Sequence, residues 1–381
     1  MTNNLKKICW RVTLFLILNP LITLVALILY FVFSNSYTSS EVLWISLFAL
    51  IFAFLTNLSI TMGYHRLWSH KTYEAHPLLE KILLLISAGA FQGSALKWSS
   101  DHRIHHRFED TDKDPYNINR GFWHAHMGWM MKHETVSLPI NAPDLAKNKW
   151  IKNQHDNYWV WSLGVGFVFP MFIGHLLGNA FLGLFIAGGL RIFLTQQSTF
   201  LVNSLSHTLG RTSYSSVKTA RDSILVAVLT HGEGYHNFHH QFQMDYRNGI
   251  RWYHWDPTKW SIQLAYWIGL AEKLKTVKFS EILKARLQTQ TEKFYHSKFY
   301  EEQLAPLKEK IIQSQIRFEH LKIEFEQMKL EYQAAGKERF VLLKTEMQLA
   351  QIELQSNLKK WKVLLQSAEV YAYQLSQFKT Y

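Results

Sequence analysis

Nineteen histidines stand among 381 residues, and their placement says more than their number. His65 and His70 lie five apart, whereas His102, His105 and His106 occupy positions i, i+3 and i+4, a spacing repeated by His236, His239 and His240. On a helix those three positions fall within an arc of about 100°, so each triplet can converge on a metal from one face. An ideal helix would splay His65 and His70; they are expected to straddle a helix end or to serve two different metals. Asn203 and His207, four apart, can join the same site from the end of an apolar stretch. Neutral imidazole is a common ligand of first-row metals. The clusters offer no thiolate and few carboxylates, and eight or nine histidines exceed the needs of one zinc. Two metals are the simpler count, with iron favoured for oxygen chemistry. Isolated histidines such as His76, His133, His155 and His175 read as ordinary surface or core residues.

The elements that must position these clusters are apolar. Residues 12–33 and 43–62 carry no charge, and each is long enough for a bilayer core that takes about 20 residues. The first is too long for a signal-peptide core. Lys6, Lys7 and Arg11 precede it, the loop 34–42 has neither Lys nor Arg, and Arg66 and Lys71 follow the second stretch. The positive-inside rule therefore puts both ends of this pair in the cytoplasm. Residues 158–201 hold two further spans, about 158–178 and 180–201, turning near Gly174, His175 and Gly178, with Arg191 as the one charge. A shared metal site needs every cluster on one side of the membrane. If residues 78–96 crossed, His102 would emerge on the wrong side, so this stretch, which carries Glu80, Lys81 and Gln92, is expected to be one interfacial or re-entrant helix. Ile224–Leu229 is too short to span. Four crossings bring all the clusters, and both termini, to the cytoplasmic face.

Net charge is +12, and residues 301–381 are nearly neutral with 12 basic and 11 acidic residues, so the excess sits upstream. A basic chain with 14 Trp fits an anionic membrane surface; four spans and the lack of a binding motif argue against nucleic acid. Cys9, the single cysteine, rules out an internal disulfide framework, a zinc finger and a cysteine-ligated Fe–S cluster. Residues 1–285 read as the membrane domain and 286–381 as an extension. There Leu304, Leu307, Ile311, Phe318, Leu321, Phe325 and Met328 follow a 3–4 spacing, as do Leu343, Met347, Ala350, Leu354, Trp361 and Leu364. The phase slips at Ala334-Ala335-Gly336-Lys337. Two helices folded into a hairpin or coiled coil are expected, against a single helix with a skip. Such an extension suits a folded appendage, an oligomerisation arm or a partner-binding arm, not catalysis.

The order H-x4-H, H-x2-H-H, H-x2-H-H resembles the membrane fatty acid desaturases, and within them the acyl-CoA Δ9, stearoyl-CoA-type enzymes. The resemblance is carried by Gly63-Tyr-His-Arg-Leu-Trp-Ser-His70, Asp101-His-Arg-Ile-His-His106, Asp114-Pro-Tyr, Leu201-Val-Asn-Ser204 with His207, and Gly232-Glu-Gly-Tyr-His-Asn-Phe-His-His240. It runs from about residue 10 to 280. It implies an all-α integral membrane protein: four transmembrane helices under a cytoplasmic helical cap that carries a di-metal histidine site. It implies two iron ions, used with O2 and held by His65, His70, His102, His105, His106, His207, His236, His239 and His240, with Asn203 acting through a water. Gln92, Trp98 and Thr199 match positions near the bend of the acyl tunnel. Asp101, Glu109, Asp110, Asp114 and Glu233 lie close enough in sequence to orient the histidines.

Some positions depart from the family pattern. Ser100 stands where animal acyl-CoA enzymes carry an arginine near the CoA headgroup, and Gly93 replaces an asparagine. His231 takes a usually apolar position and is expected to be no ligand. Arg120 is retained and can meet a phosphate. Acyl-CoA is the favoured carrier, with acyl-phospholipid the alternative. The implied reaction places a cis double bond at Δ9 of a saturated chain, and removing hydrogen from an unactivated methylene is beyond any side-chain acid or base. No dinucleotide fingerprint, haem-binding fusion or ferredoxin-type cysteine set is present, so a separate electron donor is implied: a cytochrome b5-like protein, ferredoxin or rubredoxin. The nearest rival is a related di-iron membrane hydroxylase. A metal transporter or sensor fits poorly, because transporters place ligands at the midplane. Lys379-Thr380-Tyr381 is no retention signal, which favours a bacterial inner membrane over the endoplasmic reticulum.

Overall fold

The structure, a computed structural model, describes residues 8–34, 36–132, 140–330 and 337–378. Lys6, Lys7, His133, Ala334–Gly336 and Lys379–Tyr381, all used above, lie outside the described residues. Contacts divide the chain into two compact units, Met1–Thr212 with Val217–Thr276, and Ser213–Ser216 with Val277–Tyr381.

The first unit holds four helices long and apolar enough to cross a membrane: α1 Trp10–Phe33, α2 Ser39–Ser69, and, further on, Tyr158–Leu176 and Ala180–His207. On α1 the side chains of Leu21, Ile22, Leu24, Val25 and Ile28 are all exposed. A helix apolar on every side is stable in lipid, not in water; the chain is a membrane protein. A capping box starts α2: the Thr38 hydroxyl accepts from the Glu41 N–H, and the Glu41 carboxylate accepts from the Thr38 N–H. This helix continues well past the apolar run that predicted it.

The stretch expected as one helix over about 78–96 is two. Helix α3 (Pro77–Ala88) ends, the chain turns through left-handed backbone at Phe91 (φ 54°) and Gly93 (φ 90°), and α4 (Ala95–Phe108) begins on a Ser94 cap. Gly89, Gly93 and the capping Ser94 break an otherwise continuous apolar run. With 12 residues, α3 is too short to cross a bilayer.

Helices α5 (Tyr158–Leu176) and α6 (Ala180–His207) turn at Gly178, where φ is 102°, and Asn179 caps α6 by accepting from the Leu182 N–H. They cross at two glycines. A Cβ on Gly174 would meet the Gly183 Cα at 2.4 Å, and one on Gly183 would meet the Pro170 carbonyl oxygen at 2.5 Å. Close backbone approach of this kind is how helices associate where lipid supplies no hydrophobic drive. Gly174→Ala and Gly183→Ala are each expected to destabilise the bundle by about 1–3 kcal/mol, read as a lower unfolding temperature in detergent. Gly164→Ala, whose Cβ would meet nothing within 4 Å, is the neutral control.

Arg191 stays inside the bundle and, among the described residues, meets carbonyls and a hydroxyl in place of a carboxylate. Its guanidinium is buried, lies 4.5 Å over the Phe52 ring, and donates to the carbonyls of Ala187, Gly89 and Gly166 and to the Thr56 hydroxyl. It thereby ties α6 to the turn after α3. Gln196 on α6 holds the next part of that turn, donating to the Phe91 carbonyl.

The first unit also contains α4, α7 (Ile224–Leu229), α8 (His236–Gln241) and α9 (Pro257–Trp267). Asp256 caps α9 by accepting from the Lys259 N–H. Two short antiparallel strands, β1 Glu74–Ala75 and β2 Ala271–Glu272, pair beside them.

The second unit is built of α10 (Phe279–Thr291), α11 (Ala305–Leu330) and α12 (Lys337–Phe378). Leu321 and Met328 pack with Leu343 and Ala350, while Leu304 and Ile311 pack with Leu354, Trp361 and Ala368. The start of α11 thus meets the end of α12, so the two helices run antiparallel. Ser314 and Asn357 meet within this contact, at 3.3 Å.

Candidate metal centre

Four elements of the first unit deliver the histidines. The end of α2 widens: the His70 N–H bonds to the carbonyl of His65, five residues back. A π-type turn of this kind often marks a functional site. It lets residues five apart serve one place, and His70 follows the last helical residue, Ser69. His65 and His70 indeed stand in the same group, not at two metals.

Nine histidines form two groups. His65, His70, His102, His106 and His239 make one; His105, His207, His236 and His240 make the other. Within each group the ligand atoms lie within 4.8 Å of one another. Neither triplet therefore converges whole. At about 100° per residue, i and i+4 differ by about 40° while i+3 falls on the other side of i. Hence His102 and His106 share a group and His105 goes to the other, and His236 and His240 part from His239 in the same way.

The ring nitrogens are pinned from behind. The Nδ1 of His105 donates to Asp114 at 2.9 Å, while that of His65 lies 2.8 Å from a Glu233 oxygen and that of His240 2.9 Å from a Glu109 oxygen. His102 Nδ1 meets the Tyr116 hydroxyl at 3.0 Å. His207 Nδ1 meets the Thr219 hydroxyl at 2.7 Å, which in turn donates to Asp110 at 2.7 Å. Of the five acids expected to orient histidines, four stand beside a histidine ring, Asp110 through Thr219. Asp101 instead pairs with Lys97 at 2.6 Å, and burial against that charge leaves its carboxyl raised to about 6. Burial would raise Glu233 too, but the charges and hydrogen bonds of His65 and Arg66 outweigh it and hold Glu233 at about 2.

A proton on Nδ1 leaves the lone pair on Nε2. The Nε2 atoms then face one another: His65–His239 at 3.0 Å, His239–His106 at 3.1 Å, His70–His102 at 2.9 Å, His207–His236 at 3.1 Å, His236–His240 at 3.0 Å and His240–His105 at 3.4 Å. With Asp114 holding the His105 Nδ1 proton and a Glu109 oxygen 2.9 Å from the His240 Nδ1, the last contact brings two Nε2 atoms to a separation that a shared cation suits. Two nitrogens each about 2.1 Å from one metal, 90–109° apart, lie about 3.0–3.4 Å from each other. The donor set therefore fits two first-row metal ions. Burial first, then the neighbouring imidazoles, push His70, His102, His106, His236, His239 and His240 well below the ordinary imidazole value, keeping them in the neutral form that binds metal.

A cavity of about 470 Å³ reaches His65 and His102. Apolar side chains such as Phe15, Leu16, Ile60 and Phe91 line it, together with Gln92, Trp98, Asp101, Thr199 and Asn203. Trp98 stacks on His102 with ring centroids 4.9 Å apart, and Gln92 donates to the Thr199 hydroxyl at 2.8 Å. Arg120 is not at the cavity wall. It is exposed and donates to the Asp112 carbonyl, and Gly121 (φ 106°) turns the chain directly after it. His231 lines the cavity against Phe54 and belongs to neither histidine group. Sequence reasoning missed Tyr116 and Thr219 as histidine partners; it read Arg66 only as a topology-setting charge and gave no role to Asp256. An arginine between two clustered histidines was a signal, since a buried guanidinium needs carboxylates.

Residues 41–265 match the family model described as fatty acid desaturase. The chain is 41% identical over 255 residues to Acyl-CoA desaturase 1 of Saccharomyces cerevisiae, covering 66% of this chain and 50% of that protein. It is 36% identical over 244 residues to Stearoyl-CoA desaturase 5 of Bos taurus, covering 61% and 72%. It is 37% identical over 253 residues to Acyl-CoA Delta(11) desaturase of Spodoptera littoralis, covering 63% and 73%. The chain thus spans about half the length of the yeast relative.

Proposed function

The chain belongs to the fatty acid desaturase family, and on that footing we propose that it is a membrane acyl-CoA desaturase that inserts a cis double bond at Δ9 of a saturated chain. The reaction removes one hydrogen from each of two adjacent methylenes. Together with two electrons and two protons these reduce O2 to two waters. One observation carries the reading: an apolar cavity ends on His65 and His102 of the five-histidine group, beside which the second histidine group lies. The relatives' names, acyl-CoA and stearoyl-CoA desaturase, favour the CoA thioester as carrier. A relative named for Δ11 marks the position of the bond as the variable part.

His65, His70, His102, His106 and His239 would hold one iron, and His105, His207, His236 and His240 the other, with Asn203 acting through a water. When bound, the iron pair supplies the oxidising power that no side chain has. The chain's own residues do the rest. The carboxylates behind His65, His105 and His240, and the hydroxyls behind His102 and His207, would set those imidazoles' tautomers and directions. The apolar walls exclude water from the reacting methylenes, and the Gln92–Thr199 bridge with Trp98 sets the bend, hence the register, of the acyl chain. Arg120 stands where it could meet a headgroup only outside the cavity. We assign residues 286–381 no part in the chemistry; self-association or partner binding is the role left to them.

The electrons come from a separate carrier, a cytochrome b5-like protein, ferredoxin or rubredoxin, docking on a basic cytoplasmic face. The eukaryotic relatives give no support to a bacterial over an endoplasmic reticulum membrane. If docking is electrostatic, turnover with an acidic donor falls steeply as salt rises. Salt-independent turnover would count against that docking mode. The reaction itself is tested with purified chain, iron, donor and stearoyl-CoA. A product two hydrogens lighter is expected, and a product one oxygen heavier would make the chain a hydroxylase. Repeating the assay with phospholipid-bound chains tests the carrier.

A further inference from the structure

Resting on the two-metal reading above, we propose that Asp256 is a positioning residue for the five-histidine group, acting through Arg66 and Glu233 on His65. Arg66 follows a ligand histidine in sequence but points away from the metal groups. Its Nη1 and Nη2 donate as a fork to the two oxygens of Asp256 at 3.1 and 2.9 Å. Nη2 also donates to Glu233 Oε1 at 3.0 Å, and Nη1 to the Tyr246 carbonyl at 2.8 Å. The other oxygen of Glu233, Oε2, lies 2.8 Å from His65 Nδ1 and accepts from the Asn248 side chain at 2.8 Å. Asp256 accepts in addition from the backbone N–H groups of Asn248, Gly249 and Lys259. All four residues of the relay are buried.

This arrangement divides the labour between the two carboxylates. Because Asp256 occupies the guanidinium fork, Glu233 gives Arg66 one oxygen only and keeps the other for His65. Planar guanidinium takes carboxylates two-handed where it can. Without the Asp256 charge, the fork turns to Glu233 and draws Oε2 from His65 Nδ1. The ring then loses the acceptor that fixes its tautomer and direction. Among the described residues no corresponding link runs from Asp256 to the four-histidine group, whose Nδ1 neighbours are Asp114, Glu109 and Thr219.

The test is Asp256→Asn in the full chain, which keeps the shape and an acceptor oxygen. Bound iron is counted per chain under graded chelator, and Mössbauer spectra distinguish the two irons. We expect the affinity of one iron to fall about 10–100-fold, with its spectral component lost first and the other component unchanged. Two irons held as in wild type, or both lost together, would overturn the proposal. Should Asp256→Asn fail to fold, Arg66→Lys, which keeps the charge and loses the fork, is expected to give the same selective loss. Failure of both to fold would overturn the proposal, because the relay would then hold the fold and not the site. A wild-type chain that binds fewer than two irons would instead remove the two-metal reading, and the proposal with it.

Discussion

On the two-metal reading, replacing His236 by Ala should abolish desaturation and cost the chain one of the two metals proposed. The His236 Nε2 stands 3.1 Å from that of His207 and 3.0 Å from that of His240, in the middle of the four-histidine group. Substituting a residue that merely orients a ligand costs about 10–100-fold in metal affinity or activity, so removing a ligand should exceed 100-fold. The side chain is small, and its loss leaves a polar pocket that water can fill. The protein should therefore stay folded, which elution from detergent as a single species would check. Elemental analysis should find close to one iron per chain. Full metal content and full turnover in this variant would remove His236 from the site.

Filling the cavity should separate substrate from metal. Thr199 lines the cavity and accepts the Gln92 hydrogen bond. Thr199→Trp puts a bulky ring where the acyl chain would pass. Misplacing a substrate by about 1 Å can cost 10²-fold, and a blocked passage costs at least that. Turnover of stearoyl-CoA should fall more than about 100-fold while both irons remain bound. Some overpacking strain, about 1–3 kcal/mol, should appear in the unfolding temperature. Thr199→Ser, which keeps the hydroxyl, should retain most of the turnover. Wild-type turnover in the Trp variant would mean that the acyl chain does not use this cavity.

The histidine spacings and apolar runs made much of the centre legible in the sequence, and the failures have physical causes. Hydropathy reads lipid contact, so it ended the second and fourth spans early. Their helices continue to Ser69 and His207 inside protein, where polar residues are buried and carry ligands. The run over 78–96 looked continuous because its turn is itself apolar; the glycines flanking Phe91 and the Ser94 cap were the available signal. The assignment of each triplet to two groups follows from the difference between i+3 and i+4, which a one-face reading blurs. Arg120 matched a motif but not a place, since an exposed loop turned by Gly121 fixes its direction. Asp256 left no local trace, because it meets Arg66 across 190 residues.

Lipid analysis of a host lacking Δ9 unsaturation and supplied with a compatible electron donor tests desaturation most directly. Cells expressing the chain would be compared with cells expressing the His236→Ala variant, and double bonds would be located by derivatisation and mass spectrometry. Monounsaturated chains with the bond at Δ9, absent from the variant, are the expected result. Hydroxylated chains, or unchanged lipids despite folded, iron-loaded protein and a working donor, would contradict it.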